Sequence, residues 1–315
     1  MPFSFSRFFL PAIRYGLFLL FPFISNGQND TLSFFAPSSE LNKSRVIAVA
    51  TTEITGYSAL MLGLNELWYK NYQRSSFHFF DDNNEWLQMD KVGHVMTAYY
   101  VGKAGMDVLK WGGVENKKAL WYGGTLGFLF LTSIEVFDGF SAEWGASWGD
   151  AVSNVAGTAL LIGQEYAWKE QRVLLKFSAH FTDYAQYRPS VLGSNYSERI
   201  MKDYNGQTYW LSANIYSFLK DESKFPRWLN VAVGYSGEAM LKGDQDVYYI
   251  IKEGENIGFQ RYRQYFLSLD VDLTKIKTKS HFLRAVFGTF GFVKFPFPAL
   301  EYNKNDGLKM RPFYF

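Results

Sequence analysis

The sequence has 315 residues and a net charge of +2, with 32 Lys and Arg against 30 Asp and Glu. A chain of this length can bury one large core or two modest ones, and its near-neutral charge gives no electrostatic reason to expect nucleic acid as a partner. The absence of cysteine excludes both a disulfide framework and a lipid attached to a cysteine within these residues. Aromatic residues make up 19% of the chain, and amphipathic rings favour membrane–water interfaces as well as protein cores.

Residues 1–27 have the features of a secretory signal peptide. Arg7 and Arg14 precede the apolar run 15–24, and the small residues Ser25 and Gly27 stand where a signal peptidase cleaves. The run is shorter than the roughly 18 to 20 apolar residues that cross a bilayer, although an uncleaved membrane anchor is the alternative. We therefore expect an exported protein in the outer membrane or periplasm of a Gram-negative bacterium.

Residues 28–170 are predicted to form a bundle of about four short hydrophobic helices, because apolar residues recur there at helical spacing. The predicted helices cover 45–69, 89–112, 117–138 and 147–169. The longest stretch without a charged residue or histidine is Ala119 to Ile134, 16 residues, so none of these helices is a clean membrane span by sequence.

Residues 171–315 are predicted to be antiparallel and rich in β-strands, since the apolar period changes to two after Gln171. The predicted strands are 173–181, 208–216, 229–236, 265–273 and 309–315, and 281–292 is either an amphipathic helix or a strand. The fold class is therefore α+β. The second half forms either a sheet packed on the helices or a small outer-membrane-type barrel, but these strands are fewer than the eight of the smallest closed barrel.

Three predicted helices each carry two polar residues on one face. The pairs are Asp90 with His94, Glu135 with Asp138, and Asp150 with Asn154. Residues three or four apart share a helix face, so a bundle can direct all three pairs inward.

Glu135 is the hardest of these residues to explain structurally. It follows the apolar sequence GFLFLTSI, so its carboxylate must be paired, protonated or solvated in a cavity. Its candidate partners are His94, Asn154 and a metal ion, although the spacing matches no zinc signature such as HExxH.

Ordinary structural roles compete with these functional ones. Ser147 and Asp150 have the spacing of a capping box, Asp90 can cap its own helix, and Asp138 precedes a glycine that can end a helix. Lys91 is interpreted as a solvated or interfacial side chain.

The order of these motifs resembles that of a known family. Asp90, Lys91 and His94 form a DKxxH motif, Glu135 follows a hydrophobic helix, and SxxDxxxNxxG begins at Ser147. This pattern, over about residues 45–170, resembles YfiM-like exported bacterial envelope proteins and is more distantly similar to VanZ-like membrane proteins. The segment 202–216 resembles an extension of longer members from Bacteroidetes-type bacteria.

The resemblance implies an envelope location but no activity. Shorter members are predicted lipoproteins, whereas this chain lacks a cysteine.

Two main functions are compatible with the sequence. In an envelope enzyme acting on a lipid or cell-wall precursor, Glu135 would be a general base or metal ligand and His94 its proton partner. Asp90 would orient His94, and Asp150 and Asn154 would complete the catalytic set. In a structural or interaction protein, the same side chains are interhelical hydrogen bonds. A transporter component is a third option.

We favour the structural or interaction role. Most of the acidic residues also have capping explanations, and the partner expected is a membrane lipid or another envelope protein. The sequence identifies no cofactor and leaves a metal open.

Overall fold

The computed structural model describes residues 34–67, 69, 73–220 and 222–314, so the predicted signal peptide lies outside the described part. Within the described residues, five α-helices precede the first strand: α1 (Lys43–Leu67), α2 (Met89–Trp111), α3 (Asn116–Gly124), α4 (Leu126–Gly139) and α5 (Trp148–Trp168). The four predicted helices are confirmed, except that the third is divided at Thr125 into α3 and α4. The change from helix to strand falls between Trp168 and Val173, close to the boundary predicted at residue 170.

Helix α2 is the centre of the bundle and packs against α3, α4 and α5. Two glycines make this packing close. A Cβ atom at Gly157 of α5 would overlap the carbonyl oxygen of Val95, and one at Gly127 of α4 would overlap that of Ala98. Gly157 is the last residue of the SxxDxxxNxxG motif, so this motif position serves helix packing.

In the part of the chain that the structure describes, two helical stretches are long and apolar enough to cross a membrane by length and composition. They are Lys43–Glu66 and Asn116–Gly139, and in their most apolar windows 11% and 33% of the residues are buried inside the protein. The second stretch is α3 and α4, whose last turns bring Glu135 and Asp138 against the protein's own polar residues. We therefore describe α4 as a helix of the bundle.

The second half contains the short helices α6 (Pro189–Leu192) and α7 (Tyr196–Lys202), the helix α8 (His281–Phe290) and eight strands. The strands are β1 (Val173–Ala179), β2 (Gln207–Asn214), β3 (Leu229–Glu238), β4 (Val247–Lys252), β5 (Glu255–Gln260), β6 (Tyr262–Val271), β7 (Phe297–Asn303) and β8 (Gly307–Tyr314). The α+β class and the five predicted strands are confirmed, and 281–290 is a helix. The sequence analysis missed β4, β5 and β7.

Six strands form one antiparallel sheet in the order β1-β2-β3-β6-β7-β8, while β4 and β5 form a separate hairpin. The sheet is not a closed barrel, but it curls. In a flat sheet β2 and β8 would lie about 19 Å apart. Instead, the hydroxyl oxygens of Thr208 on β2 and Tyr314 on β8 are 3.1 Å apart. The helices cover one flank of the sheet, where Leu175 of β1 packs with Tyr99, Met106 and Leu161.

Candidate functional site

The candidate site lies at one end of the bundle, where α2 and α5 begin and α4 ends. It comprises Asp82, Asp90, Lys91, His94, Glu135, Asp150 and Asn154, which we call the polar cluster. Four of the five residues predicted from the sequence, Asp90, His94, Asp150 and Asn154, meet directly. Glu135 joins them through the backbone of Ser147.

A left-handed turn places Asp82 beside the start of α2. Trp86, Leu87 and Gln88 have φ angles of 46°, 52° and 62°, a region that costs about 1 kcal/mol or more for each residue with a side chain. Contacts with the sheet hold the turn in place, because Tyr235 donates a hydrogen bond to the Leu87 carbonyl and Arg263 donates one to the Gln88 side chain.

Lys91 is the electrostatic centre of the cluster. Its Nζ atom lies 2.5 Å from a carboxylate oxygen of Asp82, 2.9 Å from one of Asp150 and 3.3 Å from one of Asp90. The interpretation of Lys91 as a solvated or interfacial side chain is wrong, since the residue is 8% exposed. It was misread because its main partner, Asp82, belongs to the loop before α2.

His94 lies between the two helices that supply the acids. Its Nδ1 atom is 3.0 Å from the Asn154 side-chain oxygen, so Nδ1 carries the proton that this oxygen accepts. Its Nε2 atom faces carboxylate oxygens of Asp150 at 3.8 Å and Asp90 at 4.0 Å. In the neutral form this Nε2 carries a lone pair, which makes it the atom able to accept a proton or bind a metal.

Glu135 is buried, as predicted, but its partner is a backbone group. Its carboxylate accepts a hydrogen bond of 2.9 Å from the Ser147 amide. The Ser147 hydroxyl accepts one of 3.1 Å from the Asp150 amide and donates one of 2.6 Å to Asp82. The predicted cap by Ser147 is therefore confirmed, and this residue links Glu135 to the polar cluster.

For Asp90 and Asp138, the sequence left open whether the side chain caps a helix or belongs to a functional site. Asp90 does not cap α2, whose N-cap is Gln88; it accepts a hydrogen bond of 3.0 Å from the Tyr204 hydroxyl. Asp138 does end its helix, at Gly139, and accepts one of 2.6 Å from Tyr69. Tyr204 was missed because it is distant in sequence from the helical motifs, and Asp82 because it lies in the loop before α2. The acidic loop FHFFDDNNEW was the available signal for Asp82.

The pKa values of Glu135, Asp150 and Lys91 are all raised above their usual values. Burial raises the pKa of Glu135 to about 7, although the Ser147 amide opposes it. Burial and the nearby Asp90 raise the pKa of Asp150 to about 6, against the effect of His94 and Lys91. Burial also favours the neutral form of Lys91, but Asp82, Asp90 and Asp150 hold its pKa above its usual value. Lys91 is therefore charged at neutral pH.

Among the described residues, Asp90, His94 and Asp150 form a group that can hold a metal ion. Each offers one ligand atom, and these atoms lie within 4.8 Å of one another. Oxygen and imidazole nitrogen suit several divalent ions. However, the Lys91 ammonium already supplies a positive charge 2.9 Å from Asp150, so a metal has to compete with it.

Replacing Lys91 with Met tests whether this charge stabilises the fold. The change leaves three carboxylates without their ammonium, and removing one partner of a buried pair destabilises a protein by roughly 3 to 5 kcal/mol. Because Asp90 and Asp82 are partly exposed, we expect a loss of about 2 to 4 kcal/mol in the free energy of unfolding, measured by denaturant titration in detergent. Lys103→Met is the control on the same helix. It breaks a pair with the more exposed Asp107 and should cost under about 1 kcal/mol. Equal effects would contradict a central role for Lys91.

Glu135→Gln tests the buried carboxyl group through its pH dependence. A raised folded-state pKa means that the folded protein holds a proton that the unfolded chain releases above about pH 4.5. Stability from this group therefore falls as the pH rises towards 7, by up to about 3 kcal/mol.

The glutamine variant should lack this fall, so its stability relative to the native chain should increase between pH 5 and pH 8. Unfolding titrations across that range measure the difference, with the exposed Glu143→Gln as control. A native chain and a Glu135→Gln variant with parallel pH profiles would show that Glu135 is not protonated preferentially in the folded state.

Comparison with known proteins gives a family for the region that contains the polar cluster. Residues 78–162 match the model of a family described as predicted periplasmic lipoprotein (DUF2279). The match includes every member of the polar cluster. No curated protein and no solved structure matches the chain. The family match supports an exported protein located in the cell envelope.

Proposed function

We propose that this protein is a membrane-associated structural or interaction protein of the cell envelope. In this proposal α1 attaches the chain to the bilayer, and the polar cluster is the internal charge network that fixes the helical bundle. The resemblance to YfiM-like and VanZ-like proteins and the outer-membrane location belong to the same proposal. The family match supports its coarser part, an envelope protein.

The exposed apolar surface of α1 is the observation that carries the proposal. Ile47 and Ile54 are each 66% exposed and Leu62 is 67% exposed, on a helix of 25 residues. A helix of this length extends about 37 Å, and exposed apolar area of this kind is typical of contact with lipid. A family description as a lipoprotein also implies attachment to a membrane. This chain has no cysteine to carry a lipid, so another element has to provide the attachment.

The polar cluster supports the structural role because Lys91 compensates three of its carboxylates within the protein. Lys91 joins α2 to α5 through Asp150 and to the preceding loop through Asp82. The hydrogen bond between His94 and Asn154 joins the same two helices. Hydrogen bonds and ion pairs across helices specify the register in which the helices pack.

Charged substitutions in α1 test the attachment. We expect the Ile54→Lys, Leu60→Lys double variant to move from the membrane pellet to the alkaline-extractable fraction, with at least a tenfold lower bound fraction. Each lysine costs roughly 2.5 to 3.5 kcal/mol inside the hydrocarbon region. Ile251→Lys is the control, because Ile251 is an apolar residue on the β4–β5 hairpin that is 82% exposed, more than Ile54 and Leu60. A double variant that stays in the pellet would overturn α1 as the main attachment of the chain to the membrane.

The geometry of His94 favours an envelope enzyme as a second candidate function. Asn154 fixes the ring with Nε2 towards two carboxylates, which is the arrangement of a general base with its orienting group. The substrate class would be a lipid or cell-wall precursor. Glu135 and Asp150, whose pKa values are raised towards neutrality, would be proton donors or acceptors in such a reaction.

His94→Ala separates the two functions. In a structural protein, loss of the bond to Asn154 should lower the free energy of unfolding by about 1 to 2 kcal/mol. Any envelope phenotype of a deletion strain should then be restored in proportion to the amount of folded protein. In an enzyme, the variant should fail to restore the phenotype even when the folded protein is present at its native amount. Immunoblotting with limited proteolysis measures that amount, and His281→Ala on α8 is the control.

A further inference from the structure

The inner face of the six-stranded sheet is largely polar, with one apolar cluster around Trp210 and Phe266, and its outer face is apolar. On β6, Gln264, Ser268 and Asp270 are buried beside Phe266, whereas Leu267 and Leu269 are 49% and 43% exposed. Antiparallel sheets of water-soluble proteins place the apolar face on the core and the polar face in water. This sheet has the opposite arrangement, so the medium around its outer face is expected to be apolar.

The outer face carries one continuous aliphatic row across five strands. Paired positions on neighbouring strands project from the same face of a sheet, and the registers of β2, β3, β6, β7 and β8 align one such set. The row consists of Leu211, Val233, Leu267, Leu300 and Met310. Each side chain is between 38% and 64% exposed, and the row contains no charge. A soluble protein seldom exposes a contiguous apolar patch of this extent without a partner.

A row of tyrosines borders the aliphatic row two residues further along the strands. The registers align Tyr209, Tyr235, Tyr265 and Tyr302 on the same four strands, β2, β3, β6 and β7. Tyr265 and Tyr302 are 49% and 56% exposed, whereas Tyr209 and Tyr235 are partly buried against the turn before α2. Tyrosine is enriched where a membrane-embedded surface meets water, because the ring prefers the interface and the hydroxyl prefers water. Arg263 lies on the same face of β6 as Tyr265, two residues before it. The outer face therefore becomes polar beyond the tyrosine row.

The buried charges at one end of the inner face are paired with other polar groups of the sheet. Lys176 and Asp270 are both fully buried and their charged atoms lie 2.7 Å apart. The Ser212 hydroxyl donates a hydrogen bond of 2.7 Å to Asp270 and accepts one of 2.9 Å from Asn230. Unpaired buried charges would be costly, whereas these groups are paired from β1, β2, β3 and β6.

We propose that the outer face of β2, β3, β6, β7 and β8 contacts the acyl chains of a lipid bilayer, with the exposed Tyr265 and Tyr302 of the tyrosine row at the membrane–water interface. This inference rests on the membrane association proposed above and adds a second, separate contact surface. Strands β3 and β6 have ten residues each, which is the length of strands that cross a membrane.

The shape of the sheet favours lipid over a second copy of the chain. The sheet curls around its polar face, so its apolar face is convex. Two convex faces meet along a narrow line and leave most of the five-strand row uncovered. Fluid acyl chains conform to a convex surface and cover the whole row.

Single-cysteine labelling of the full chain tests the proposal, since the chain has no native cysteine. Leu267→Cys and, separately, Leu300→Cys are labelled with an environment-sensitive fluorophore after reconstitution into phosphatidylcholine–phosphatidylglycerol vesicles. Quenching is then compared between vesicles with and without bromine atoms on the acyl chains. We expect blue-shifted emission and at least about threefold more quenching at these positions than at Ile251→Cys, which lies outside the sheet.

The other outcomes identify which proposal fails. Ile54→Cys on α1 reports the membrane association separately. Quenching at Ile54 without quenching at Leu267 and Leu300 would overturn the contact between sheet and lipid and leave the attachment through α1. Self-quenching or crosslinking between labels at Leu267, without an effect of the brominated lipid, would assign the face to a second copy. The absence of lipid quenching at all three positions would overturn both proposals.

Discussion

The positive charge of Lys91 is the interaction on which the arrangement of the helical half depends. Three carboxylates from the loop before α2, from α2 and from α5 lie around one ammonium group. Without this charge, Asp82, Asp90 and Asp150 would repel one another in a poorly hydrated position. The strained turn at residues 86–88 is compatible with this view, because it brings Asp82 to Lys91 at a local backbone cost.

The sheet also compensates its buried charges within the protein. Lys176 pairs with Asp270 and Arg311 with Glu301 on its inner face, while leucine, valine and tyrosine cover its outer face. On the sheet, charges are compensated inside the protein and apolar groups face outward, whereas the helical half also has an apolar core that includes Tyr99, Met106 and Leu161. A protein surrounded by water has little reason to adopt this arrangement, because the hydrophobic effect then opposes it.

The sequence predicted the helices well because helical periodicity is local, and the pairs Asp90 with His94 and Asp150 with Asn154 followed from spacing alone. It did not predict the partner of Lys91, which depends on how the preceding loop returns to the bundle. The sequence analysis placed Glu135 in a buried position but not beside the Ser147 amide. Every residue has a backbone amide, so the sequence pattern does not show which one a side chain will contact. Strand β7 was missed because Pro298 and a short alternation obscure it.

Alternation along β6 could establish that Leu267 and Asp270 face opposite ways, but not which face is inside. That choice depends on the curl of the sheet and on pairing between strands far apart in the sequence. The helical half and the sheet contact each other beside the tyrosine row. Tyr235 of the tyrosine row bonds the Leu87 carbonyl, and a Cβ at Gly93, one residue before His94, would lie 3.2 Å from the Tyr209 hydroxyl. The polar cluster therefore lies beside the tyrosine row. If that row marks the edge of the bilayer, the cluster is at the depth of the lipid headgroups, where both water and apolar chains are within reach.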